Sequence, residues 1–107
     1  MTEISDIIGV DELDDKLKTD LPVIVYMRNS WSDACKIQWQ EILEIADKLN
    51  GKIKILKIDV DENSRIVLKY NLSVVPAVLI FYKSELKEKK EGLVSKAQIA
   101  DMLIKYM

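Results

Sequence analysis

The 107 residues carry 16 lysines and arginines against 18 aspartates and glutamates, no histidine and one cysteine, with 49% hydrophobic residues. That is ordinary composition for one globular domain able to bury a core without metal or disulfide staples. A net charge of −2, with lysines interspersed among acids, leaves no basic footprint for nucleic acid, and the absence of histidine excludes the usual zinc ligand sets and histidine-dependent triads.

The opening stretch, Met1 to Asp6, has neither the basic nor the apolar region of a secretory signal. A lone cysteine suits a reducing compartment, so a cytoplasmic location is expected. Ile4 to Ile8 reads as a short edge strand, and Asp11 to Lys18 as a short helix with Leu13 and Leu17 four apart. After Pro22, the near-continuous apolar run Val23 to Met27 predicts a strand covered on both faces. A helix follows, running to about Leu49. Its apolar stripe is read as Cys35, Trp39, Ile42, Leu43, Ala46 and Leu49, with Lys36, Gln40, Glu44 and Asp47 facing water. Gly51 stops it.

Ile53 to Ile58 predicts another buried strand, and Asp59 to Asn63 supplies capping groups for a two-turn helix through Ile66, Val67 and Tyr70. Val74 to Tyr82 reads as a strand with Pro76 at its entrance; at that length it is far short of the ~20 apolar residues of a membrane-spanning helix. Lys83-Ser84-Glu85 predicts a hairpin, and Leu86 to Lys90 an antiparallel edge strand guarded by charge. Gly92 ends it. Ser95 with Gln98 forms a capping box for a last helix, whose inner face is read as Ala97, Ala100, Leu103/Ile104 and Met107. Trp39, Tyr70, Phe81 and Met102 are read as core.

The chemistry-bearing stretch is Trp31-Ser32-Asp33-Ala34-Cys35-Lys36, placed where a strand gives way to a helix. Free N–H groups and the helix dipole at such a junction favour anions, a thiolate included. Ser32 stands three residues before the only thiol. Thiol–disulfide exchange with dithiol turnover requires a second thiol to resolve the mixed disulfide, and a serine hydroxyl lacks both the acidity and the sulfur. This chain therefore does not cycle between dithiol and disulfide within one domain.

The order β-α-β-α-β-α-β-β-α, with Trp31-x-x-x-Cys35-Lys36 opening the second helix, Val74-Val75-Pro76-Ala77 entering the fourth strand, Gly51, the Lys57 to Asn63 stretch and Gly92, resembles the thioredoxin family over essentially the whole chain. The resemblance implies one α/β domain, a mixed five-stranded sheet flanked by four helices. It implies that Ser32 stands at the nucleophilic cysteine of a Trp-Cys-Gly-Pro-Cys-Lys motif and that Cys35 is the resolving cysteine. It further implies a cis Val75–Pro76 bond, pairing of the Val75 backbone with an extended substrate, and an apolar docking patch of Trp31, Val75, Pro76 and Gly92 beside Asp33 and Ala34. The implied partners are protein or peptide thiols and disulfides and a thioredoxin reductase, with the chain a monomer and no metal or cofactor.

Four departures accompany the matches. Tyr26 replaces the family's buried proton-transfer aspartate while Lys57, its neighbour and a candidate for electrostatic tuning, is kept; Asp33-Ala34 replaces Gly-Pro; Gln40 stands at a common proline; Ser84 replaces a hairpin glycine. Three readings of the site stay open. Cys35 is a small core residue at the helix start, or a monothiol glutathionylated, oxidised or captured by a partner, or the chain is an engineered serine variant of a Trp-Cys-Asp-Ala-Cys-Lys oxidoreductase. For Ser32 the plain reading is a helix cap. Two functions follow: an oxidoreductase lineage disabled at Ser32, or a redox-inactive module that docks extended peptides at Trp31, Val75 and Pro76.

Overall fold

A computed structural model describes all 107 residues. Five strands, β1 (Glu3–Ile7), β2 (Val23–Arg28), β3 (Lys54–Asp59), β4 (Ala77–Tyr82) and β5 (Glu85–Glu91), form one sheet in the order β1-β3-β2-β4-β5. β1, β3 and β2 are parallel, whereas β4 and β5 run antiparallel. Four helices, α1 (Val10–Lys16), α2 (Asp33–Lys48), α3 (Ser64–Lys69) and α4 (Lys96–Ile104), complete the domain. No helix is long and apolar enough to cross a membrane.

The sheet separates two apolar clusters. Ile24, Tyr26, Ile55, Val78 and Ile80 face α2 and α4, while Val25, Met27, Leu56, Leu79 and Phe81 face α1 and α3. β2 and β4 carry buried residues on both faces, so their unbroken hydrophobicity is what a covered central strand requires. Ser95 caps α4 through the expected reciprocal bonds with Gln98.

Several expectations are corrected. β4 starts at Ala77 rather than Val74: Pro76 has no N–H to give a ladder, and the Ser73 and Val74 N–H groups bond to the Glu91 carboxylate instead. The hairpin turn is the two residues Lys83 and Ser84, both at positive φ (51° and 67°), and β5 begins at Glu85. Asp59 to Asn63 does not start one continuous helix. Asp59 caps a 3-10 turn, Val60–Glu62, and the Asn63 side chain turns away from α3 to accept from Gly9 N–H and donate to the Asp59 carbonyl.

On α4 the buried residues are Ile99, Met102 and Leu103, with Ala97, Ile104 and Met107 exposed. The larger side chains at that spacing bury more apolar surface than the alanine-centred face expected from the sequence. The α2 stripe is likewise rotated: Cys35, Gln38, Ile42, Ile45 and Ala46 are buried, while Trp39, Leu43 and Leu49 lie half-buried at its margin. Tyr70 is also half-buried, edge-on to Phe81 at 5.6 Å.

Candidate functional site

The turn from β2 to α2 is closed by Asn29, a buried residue whose Oδ1 accepts the Ser32 N–H at 2.9 Å. Ser32 is extended (φ −82°, ψ 128°) and caps α2, its Oγ accepting the Cys35 N–H at 3.4 Å. The hydroxyl is thus engaged in satisfying a free N–H of the helix start. Asp33 and Lys36 form an exposed pair at 3.8 Å, a contact worth little. Ala34 is half-buried and Cys35 only 2% exposed.

Beneath Cys35, Tyr26 takes a place unlike that of a small acid. Its ring stacks on Trp39 at 5.4 Å and its hydroxyl donates to the Cys35 carbonyl at 2.5 Å. Burial pushes the phenol far above its ordinary value; Cys35 raises it further and Arg28 lowers it. Near neutral pH Tyr26 is therefore a fixed donor, unable to serve as a base. Lys57, opposite Tyr26 in the β2–β3 register, holds its Nζ 4.3 Å from the centre of the Trp39 ring.

A second group of residues gathers around Pro76. The Val75–Pro76 bond is cis, and the Pro76 carbonyl accepts the Gly92 N–H at 2.8 Å. Gly92 sits at φ +86°, a backbone that side-chain-bearing residues rarely adopt. Val75 is half-buried, whereas Val74 and Leu93 are about half exposed and Trp31 is 74% exposed. Trp31, Val74 and Leu93 are thus apolar side chains left in water.

The structure thus joins Ser32 to Cys35 and Pro76 to Gly92. Trp31 makes no hydrogen bond or ring contact with the second group; the link is Asn29, which lines both the Cys35 cavity and a cleft bordered by Val74 and Val75. Lys57 reaches the site through the Trp39 ring. No cluster of metal-ligating side chains is present.

Two site residues were missed by sequence reading. Gln38 is fully buried; its Nε2 donates to the Val94 carbonyl at 2.9 Å and its Oε1 accepts the Val94 N–H at 2.8 Å, pinning the chain after Gly92 to α2. Its position three residues after Cys35 was the available signal. Glu91 accepts from Ser73 N–H at 2.6 Å and Val74 N–H at 3.1 Å, which holds its carboxyl below the usual glutamate range. A depressed folded-state pKa gives stabilisation that is full above the ordinary value of about 4.3 and fades as pH falls through the depressed one. Amide exchange at Ser73 and Val74 is accordingly expected to lose protection only in that acid window. Glu91→Gln should remove the pH dependence; an unchanged acid transition in that variant contradicts the assignment.

A mixed sheet in this order, a cysteine in the first turn of α2 and a cis-proline heading β4 define a thioredoxin fold. Comparison with known proteins agrees: the family model described as Thioredoxin matches residues 7–105. A thioredoxin of Rickettsia felis is 37% identical over 89 residues, covering 83% of this chain and 85% of that one. A thioredoxin of Pseudomonas aeruginosa is 34% identical over 89 residues, covering 83% and 82%. Among solved structures, a mutant thioredoxin from Halobacterium salinarum superposes with a TM-score of 0.88 at 26% identity, covering 97% of this chain and 90% of the other. The chain belongs to the thioredoxin family.

Proposed function

We infer that this chain is a thioredoxin-family domain of thiol:disulfide oxidoreductase lineage whose dithiol turnover is disabled at Ser32, and whose retained activity is docking. The observation that carries this reading is the capping geometry. Ser32 Oγ occupies itself with the Cys35 N–H, Cys35 is buried, and no second thiol exists in the chain. An attacking sulfur and a resolving sulfur are both needed for turnover, and only one is here.

Docking requires less. An extended segment of a protein or peptide, with or without a thiol or disulfide, lays its backbone along Val75 and its side chains against Trp31 and Gly92, with Asp33 and Ala34 at the rim. Pro76, expected in the patch, is buried and contributes by shaping the backbone at Val75. This is strand-like pairing by main-chain bonds plus side-chain contacts. A monomer in the cytoplasm fits the reading, and a thioredoxin reductase is a partner only for a chain that regains its second thiol.

Titration of an extended, cysteine-free peptide tests it. The chain should bind saturably, and Trp31→Ala should weaken binding by roughly 1–3 kcal/mol, the loss of one aromatic anchor. Equal binding by native chain and Trp31→Ala would remove the docking face from the account.

A further inference from the structure

The cavity beside Cys35 has about 140 Å³ of room and is lined by Arg28, Lys36 and Lys57 with no carboxylate among its walls. Lys57 is its strongest feature. Its ammonium pairs with no acid; its strand neighbours in register are Asp6, beyond ion-pair distance, and Tyr26, a phenol. Asp6, Asp59 and Glu62 line a separate cavity that Arg28 and Lys57 also border. Lys57 nevertheless sits over Trp39, a wall of the Cys35 cavity, so its charge is presented on that side. Arg28 adds to it: its guanidinium meets Asp59 only at 3.8 Å, and its Nε is buried without an acceptor.

We propose that this cavity is a binding site for a small free oxyanion of sulfate or phosphate size, held by Lys57, Arg28 and Lys36 against the Trp39 ring edge. Space for a handful of waters at about 30 Å³ each admits a tetrahedral oxyanion. Charge-assisted bonds donated by lysine and arginine are the strong class, and here the anion's oxygens supply an acceptor to Arg28 Nε, a donor the protein leaves unmatched. The proposal rests on neither the peptide-docking reading nor any redox step.

The test is a titration of the whole chain with sodium sulfate against sodium chloride at matched ionic strength, read by Trp39 fluorescence in a Trp31→Phe background. Sulfate is expected to give a saturable change in the millimolar range that chloride does not reproduce. Saturation should also slow alkylation of Cys35 by a small neutral reagent, because the anion fills the cavity that the thiol lines. Lys57→Gln should weaken sulfate about tenfold, the expected loss of one charge-assisted contact, and Lys57→Arg should restore it. Identical, non-saturating responses to the two salts, or an unaltered sulfate affinity in a folded Lys57→Gln chain, would overturn the proposal. Should Lys57→Gln fail to fold, the Cys35 alkylation rate in the native chain, unchanged by sulfate, would overturn it equally.

Discussion

Exchanging Ser32 for cysteine is expected to raise catalytic reduction of a protein disulfide, with a dithiol as reductant, by on the order of a thousandfold over the native chain. The scaffold needs little adjustment for this. Position 32 lies at the mouth of α2 with extended backbone, three residues before Cys35, and Asn29 already holds its N–H. The helix terminus that lets Ser32 act as a cap would favour a thiolate at the same place. The gain should stop short of an ordinary thioredoxin's pace. Resolution by Cys35 requires its proton to leave, and where the family places a carboxylate this chain has the Tyr26 phenol, locked as a donor to the Cys35 carbonyl. Ser32→Cys combined with Tyr26→Asp should therefore exceed Ser32→Cys alone. A Ser32→Cys chain no faster than the native one would mean that the chain keeps the fold without the chemistry of its lineage.

Gln38→Leu is expected to destabilise the domain by about 2–4 kcal/mol, lowering the melting temperature by roughly 10–20 °C. The side chain is fully buried and satisfies both backbone groups of Val94. A leucine fills the space yet leaves a buried N–H and a buried carbonyl without partners, and that penalty exceeds the net worth of the bonds themselves. The functional consequence lies next door. Val94 anchors the segment that carries Gly92 and the exposed Leu93, so the docking face should lose order before the sheet does. Denaturant titration gives the first quantity, and amide exchange at Gly92 and Leu93 gives the second. A variant with native stability would show that these bonds are replaced by others.

What the sequence revealed, and what it hid, divides along physical lines. Periodicity and turn residues were enough for five strands and four helices in the right order, since β2 and β4 are unbroken apolar runs and Ser95/Gln98 is a short-range signal. Strand and helix limits near Pro76 and Asn63 were misjudged because distant side chains decide them. Glu91 takes the N–H groups that would have extended β4, and Asn63 is drawn to Gly9 across the chain.

The helix faces of α2 and α4 were read rotated, with Trp39 and Ala97 given inner positions that Gln38 and Ile99 hold. A buried glutamine contradicts a simple polar-outside pattern, and only the backbone of Val94 explains it. The motif Trp31 to Lys36 was legible as a helix start with one thiol, and its cap is where the spacing placed it. The stack of Lys57 on Trp39 on Tyr26 was not, because it unites three elements that no local pattern connects.

The most direct test measures disulfide reduction and peptide binding on the same sample of the unaltered chain. With excess dithiol present, reduction should proceed at the rate of the dithiol alone, while an extended peptide binds and is displaced by a second one. Turnover of the disulfide at a rate that rises with protein concentration would contradict the account.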